Sequence, residues 1–368
     1  MLLDIDNVIP YALRRGLLSA ADVIEGQVRA RSASRRNRNF RITREGGGGL
    51  LVKQAESEGA RVTLRAEAGL YELVFREEQA APMRPFLPRL VGSVPEDALL
   101  ALELIEDAAP LHQFTGEFRS RGFLSELGAI LGQALGTFHR CLRSLAHEPR
   151  IARSLGRSAP WVLWVHRPGP EILAELSSGN RKTLQILQQD PDLSRHLDAL
   201  RRSWTPDTFI HCDIKADNLL ISHATPRKVH IVDWELIQLG DPAWDLGAVF
   251  KDFLVYWITS MPVAKGMSGS DMAARAALPL ALFQEASRRL WPAYCQAAEL
   301  AGDAADAMLQ RTVRSAAAWL VQYAYESAQR ASSLGNHEVM MLQVGANIFA
   351  DPAGATQHLL GILQRSKP

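Results

Sequence analysis

Apolar and polar residues alternate over two short stretches near the start of the chain, Val28-Arg-Ala-Arg and Asn39-Phe-Arg-Ile-Thr, as half-buried strands do. Gly49-Leu-Leu-Val-Lys reads as a third strand, with Gly46 to Gly49 as the hairpin turn that joins it to the second. Leu87-Pro-Arg-Leu-Val and Leu99-Leu-Ala-Leu-Glu-Leu-Ile supply two more. Between them the period lengthens: Leu64, Leu70, Tyr71 and Val74 recur at helical intervals over Arg61 to Phe75. Five strands around one helix therefore predict a small lobe over residues 27–106. Residues 1–26 precede it as an N-terminal helical extension, with Tyr11, Leu13, Leu17, Leu18 and Val23 at apolar positions.

Beyond Asp107 the pattern turns helical. Leu124 to Leu145 is one long amphipathic helix through Leu127, Ile130, Leu131, Leu135 and Phe138. Residues 150–205 carry several helical segments, interrupted by Pro160, Pro168, Pro170 and Pro191. A strand, loop and strand occupy 209–221, with a hairpin partner at 228–233, and only helices are expected from 245 onward. The expected fold class is α+β, bilobal, with the five-stranded lobe at 27–106 and a mostly helical lobe at 107–368.

Composition adds exclusions. A formal net charge of +1 over 368 residues gives no general attraction to nucleic acid or anionic membrane. Cys141, Cys212 and Cys295 are too far apart in sequence for a metal or redox motif. The best membrane-helix candidate, Ala248 to Ile258, is short and is broken by Lys251 and Asp252. Acids stand near Met1 where a signal peptide carries bases. The expectation is a cytoplasmic protein with neither nucleic acid nor membrane as partner.

The chemistry concentrates in Phe209-Ile210-His211-Cys212-Asp213-Ile214-Lys215-Ala216-Asp217-Asn218, followed by Asp233 at the end of an apolar strand. A carboxylate, a lysine, an amide and a second carboxylate suit phosphoryl transfer from a magnesium nucleotide. Asp213 is the candidate base for the incoming hydroxyl. Lys215 is the candidate cation on the transferring phosphate. Asn218 and Asp233 are the candidate magnesium ligands. His211 reads as a support for the loop backbone, and Asp217 as a neighbouring polar group.

Lys53, ending its strand, is the candidate for the α- and β-phosphates. Glu67 is its expected carboxylate partner, and Glu72 the alternative. The glycines 46–49 lack the spacing G-x-x-x-x-G-K-[ST], and Gln54 follows the lysine, so they are not a phosphate loop. The nucleotide-covering turn is expected at Ser32 to Asn39, where backbone N–H groups, the Ser32 and Ser34 hydroxyls and an arginine would cradle phosphates. Arg29 to Arg44 holds seven arginines and no acid. Three readings stand for that run: a solvated face, a phosphate site, or a docking surface for a partner. Glu103 to Ile105 is the expected connection between lobes, its backbone meeting the adenine edge. Asp245 is expected to cap a helix and to accept hydrogen bonds from the catalytic loop.

The His211–Asn218 loop, which has the kinase spacing H-x-D-x-K-x-x-N, together with Val232-Asp-Trp-Glu and Gly240-Asp-Pro-Ala-Trp-Asp, resembles the aminoglycoside phosphotransferase family and its relatives, choline, homoserine and methylthioribose kinases. The resemblance covers about residues 28–330 and implies a protein-kinase-like fold, ATP, Mg2+ and Asp213 as base. Two departures stand out. Lys215 occupies a position where the family commonly has a small polar residue or His. Trp234-Glu235 replaces the Phe-Gly of protein kinases, and no A-P-E segment follows, so no phosphorylation-switched loop is expected.

For the acceptor, Met261 to Pro368 holds eight acids against nine bases, which disfavours a polycationic sugar. Arg35-Arg-Asn-Arg-Asn-Phe-Arg is similar to phosphotransferase components of thioamitide and class V lanthipeptide pathways. That likeness implies Ser or Thr of a precursor peptide as acceptor, with a separate lyase and a leader peptide as partners. A nucleotide-binding pseudokinase scaffold is the competing reading; intact Lys53, Asp213, Asn218 and Asp233 argue against it.

Overall fold

Two short helices, α1 (Val8–Arg14) and α2 (Ala20–Glu25), lead into strands β1 (Arg29–Ser32), β2 (Arg38–Thr43) and β3 (Gly49–Gln54). Helix α3 (Glu58–Arg76) follows, then β4 (Leu90–Val94), β5 (Leu99–Glu103) and β6 (Ala108–Pro110). The chain continues through α4 (Arg121–Leu145), α5 (Pro170–Glu175), α6 (Ser178–Gln189) and α7 (Pro191–Arg202) to strands β7 (Thr208–Ile210), β8 (Leu219–Ser222) and β9 (Val229–Ile231). Strand β10 (Gln238–Gly240), paired with β7, and helices α8 (Ala243–Thr259), α9 (Gly269–Ala274), α10 (Leu280–Ala297), α11 (Gly302–Ser327), α12 (Asn336–Ala350) and α13 (Pro352–His358) follow. This computed structural model describes residues 1–25, 27–33, 37–146, 155–264 and 266–363.

The chain divides into two compact units. The first includes Met1–Gln113 and Ala216–Gln238; the second includes Phe114–Ala146, Gly156–Lys215 and Leu239–Pro368.

In the first unit a five-stranded antiparallel sheet runs in the order β1-β2-β3-β5-β4. The β2–β3 turn places Gly47 and Gly48 at φ +90° and +79°, a region that glycine enters without a Cβ clash. Strand β4 begins at Leu90 rather than Leu87 because Pro88 has no N–H to give a ladder. Side chains alternate across the sheet. One face carries Phe40, Ile42, Leu50 and Val52 and is buried under Leu3, Val8, Tyr11 and Leu18 of the N-terminal segment. That segment is tied down further: the Gln54 side chain accepts from the Leu3 N–H at 2.8 Å and donates to the Met1 carbonyl at 2.9 Å. Tyr11 donates to Asp97 at 2.7 Å. Helix α3 starts at Ser57, whose hydroxyl accepts from the Ala60 N–H at 3.2 Å. Strand β6 was not signalled by any periodicity; three residues are too few, and only pairing with β8 in the sheet β6-β8-β9 makes them a strand.

In the second unit α8 is buried from Ala243 to Ile258 with the exception of Tyr256. The segment that looked most like a membrane helix is thus an interior helix. Its Lys251 and Asp252 lie buried as an ion pair at 2.5 Å, and the Lys251 ammonium sits 5.3 Å from the Trp319 ring centre. Among the described residues no helix is long and apolar enough to cross a membrane. Helices α4 and α10 meet backbone to backbone at Gly128, Gly132 and Gly136, which recur every fourth residue along one side of α4. A Cβ on Gly132 would stand 2.2 Å from the Leu290 carbonyl oxygen. Ala ordinarily favours a helix over Gly by about 1 kcal/mol. Here overpacking against backbone, typically costing about 1–3 kcal/mol or more, outweighs that gain. Gly132→Ala is expected to lower the melting temperature, read by circular dichroism, whereas Ala at exposed Gly59 of α3, with nothing within 4 Å, should not.

Candidate active site

Antiparallel pairing sets Lys53 opposite Asn39 on β2 and Leu100 on β5. Its side chain therefore leaves the sheet on the face opposite the N-terminal helices and meets α3. The ammonium lies 2.9 Å from both oxygens of Glu67 and 2.7 Å from Asp233. Glu67 is fully buried, Lys53 nearly so, and Asp233 is 37% exposed. Burial works against the Lys53 charge, but the two carboxylates outweigh it and hold its pKa above the ordinary lysine value. Glu67, not Glu72, closes on the lysine; Glu72 is exposed and lines a groove beside Arg61 and Arg65.

Asp233 is delivered by the β8–β9 hairpin. Leu219 pairs with Ile231, and the Val232 N–H donates to the Asn218 carbonyl at 3.0 Å, so Asn218 and Asp233 sit on adjacent chain segments. Asp233 itself adopts φ +68°, an uncommon conformation for a residue with a Cβ. The buried Trp234 anchors the turn, its indole N–H donating to the Ile231 carbonyl at 3.0 Å. Asn37 donates to Glu235 at 3.2 Å. An amide and a carboxylate are hard oxygen donors, and a magnesium ion that keeps most of its waters fits that set. Among the described residues no cluster of three or more His, Cys, Asp or Glu gathers as an alternative metal group.

The His211–Lys215 stretch, in the second unit, is built around Asp245. Its carboxylate accepts from the His211 N–H at 2.7 Å and the Cys212 N–H at 2.9 Å. It does not cap α8; it stands in the first turn, where an acid favours the helix dipole, and Asp241 accepts from the Ala243 N–H instead. Cys212 takes φ +68°, and the next N–H, of Asp213, donates to the His211 ring at 3.2 Å. Lys215 donates to Asp213 at 2.6 Å. Behind Asp245, His139 on α4 bridges it, at 3.3 Å, to the Tyr294 hydroxyl on α10, at 3.1 Å. The close α4–α10 contact at the glycine stripe makes that bridge possible. No motif marked His139 or Tyr294. The available signal was a polar ring within the apolar stripe of Leu135, Phe138 and Leu142.

Ser32 pairs with Phe40, so its hydroxyl is on the sheet face away from Lys53. Ser34, Arg35 and Arg36 lie outside the described residues. Around the Glu103–Ile105 connection, the Glu103 N–H donates to Arg89 and the Leu104 N–H to Gly49, while the Ile105 N–H has no partner among the described residues. Glu106 accepts from the Gly48 N–H at 2.6 Å, tying the β2–β3 turn to this segment. Asp217, next to Asn218, lies 2.6 Å from His112, a contact no sequence pattern announced.

Comparison with known proteins gives a consistent answer. Residues 27–279 match the model of the phosphotransferase enzyme family. Among solved structures, the Plasmodium vivax ethanolamine kinase Pv091845 aligns at 10% identity with a TM-score of 0.53, covering 95% of this chain and 91% of that one. Choline kinase from Cryptosporidium parvum Iowa II aligns at 12% identity and TM-score 0.52, covering 97% and 98%. Amicoumacin kinase hAmiN, solved with AMP-PNP, Ca2+ and Ami, aligns at 14% and 0.51, covering 92% and 96%. At these identities the structures establish the protein-kinase-like fold. No curated protein matches.

Proposed function

From the premise that the chain belongs to the phosphotransferase enzyme family, we propose that it is a magnesium- and ATP-dependent kinase that phosphorylates an uncharged or acidic alcohol. The observation that carries this reading is the bridge from Lys53 to Glu67 and Asp233. A nearly buried ammonium held between a buried carboxylate and a half-exposed one is poised to exchange the exposed partner for phosphate oxygens.

The roles follow from the residues. Lys53, kept charged by Glu67, binds the α- and β-phosphates. Asn218 and Asp233 would hold Mg2+, which when bound would offset the negative charge of the phosphates. The Ile105 N–H donates to the adenine edge. Asp213 accepts the proton as the acceptor oxygen attacks the γ-phosphorus and the bond to the ADP oxygen breaks. Lys215 offsets the charge of the transferring group. His211, Asp245, His139 and Tyr294 hold the loop so that Asp213 does not have to be ordered during the reaction. Ser32, by its strand parity, has no part in this scheme.

The balance of acids and bases after Met261 supports a neutral or acidic acceptor, whether a small molecule or Ser or Thr of a peptide later acted on by a separate lyase. Retention of Lys53, Asp213, Asn218 and Asp233 speaks against a pseudokinase scaffold. Incubation with labelled MgATP and acceptors of contrasting charge is expected to give transfer of one phosphoryl group, visible by mass spectrometry and abolished by EDTA. Failure of calorimetry to detect MgATP binding would overturn the proposal.

A further inference from the structure

Five described arginines of β1 and β2 and the turn after them sort cleanly by strand parity. Arg38 and Arg44 share the face of Phe40 and Ile42, and both are neutralised: Arg38 by Glu56 and the Leu3 carbonyl, Arg44 by Asp22 at 2.5 Å. Arg29, Arg31 and Arg41 fall on the other face. The register runs Arg31 opposite Arg41 and Arg41 opposite Leu51, two residues before Lys53 on β3. These three share the face of Lys53, are exposed, and have no acidic partner among the described residues. Strands about 4.8 Å apart with about 3.4 Å per residue place the Arg41 Cα roughly 8 Å from that of Lys53, and the Arg31 Cα roughly 12 Å away. Arginine side chains reach across much of that gap.

Arg31 and Arg41 stand directly across an antiparallel pair. Like charges so placed repel and weaken the sheet. A sheet that pairs off its arginines on one face and opposes them on the other is arranged for an anion. We infer that Arg29, Arg31 and Arg41 form an anion-binding face that takes a phosphate or carboxylate group beside Lys53. Guanidinium forks suit the planar or tetrahedral oxygens of those groups better than lysines would. The inference rests on the kinase reading for the role of Lys53. The anion comes either from the phosphate chain of the nucleotide or from the acceptor.

The test uses Arg31→Gln, Arg41→Gln and the double variant in the full chain, with calorimetry and thermal melts. The double variant is expected to bind sodium tripolyphosphate at least tenfold more weakly than wild type, while adenosine binding is unchanged. Its ligand-free melting temperature should be equal or higher, because the repulsion is gone. A parallel loss of MgATP affinity assigns the anion to the nucleotide. Intact MgATP affinity, with loss of citrate binding in the presence of saturating Mg·AMP-PNP, assigns it to the acceptor. Wild-type affinity for both tripolyphosphate and citrate in the double variant overturns the inference. So does a wild type that binds neither, or a lowered ligand-free melting temperature, which would make the arginines structural. A wild type that binds tripolyphosphate through these arginines but ignores MgATP would sink the kinase reading and leave the anion face standing.

Discussion

Asp213→Asn is expected to lower kcat by about 10²–10⁴-fold, the usual loss when a positioned general base is removed, with little change in MgATP affinity. The loop should keep its shape, because Asp245 binds the His211 and Cys212 N–H groups and the His211 ring takes the Asp213 N–H, none of which involves the Asp213 side chain. Lys215 loses the negative charge of Asp213 but is 45% exposed, so water can solvate its charge. The melting temperature should therefore stay close to that of wild type while single-turnover transfer collapses. Wild-type turnover in this variant would remove Asp213 from the chemistry. A His139→Ala change makes a useful contrast: it should cost both stability and rate, since the buried Asp245 and Tyr294 would lose the ring between them.

Lys53→Met is expected to destabilise the protein by about 3–5 kcal/mol, because it strands Glu67, with no exposed surface, as an uncompensated buried carboxyl. Asp233 adds less to that loss, since it is in contact with water. MgATP binding should disappear in the same variant. The two effects separate in Lys53→Met/Glu67→Leu, where apolar packing replaces the pair: thermal melts should recover most of the stability, and calorimetry should still find no MgATP binding. Recovery of binding in the double variant would show that Lys53 serves only to neutralise Glu67. A melting temperature unchanged by Lys53→Met would contradict the burial of the pair.

Local patterns were readable without coordinates. The hairpin at Gly46–Gly49, the long α4 and the strand–loop–strand around Asp213 follow from residue periods and turn chemistry that act within a few positions. The loop spacing from His211 to Asn218, together with Val232-Asp-Trp-Glu and Gly240-Asp-Pro-Ala-Trp-Asp, points to the family, since each short segment holds its chemistry in consecutive residues. Less direct features mislead. The pattern puts Leu87 in a strand whose start Pro88 delays to Leu90, and it offers Asp245 as a helix cap, a role that falls to Asp241. Strand β6 could not be foreseen, because it exists only as a partner of β8.

By itself, then, the order of residues determined most of the helices and strands, the loop that carries Asp213, Lys215 and Asn218, and the phosphotransferase family. Covalent geometry and side-chain period act over neighbouring positions and leave their mark there. Tertiary structure alone decided that Ser32 turns away from Lys53 while Arg29, Arg31 and Arg41 do not, and that His139 and Tyr294 stand behind Asp245. Each of these depends on strand register or on how closely two helices approach. Residues far apart along the chain set such distances jointly, and no stretch of sequence records them.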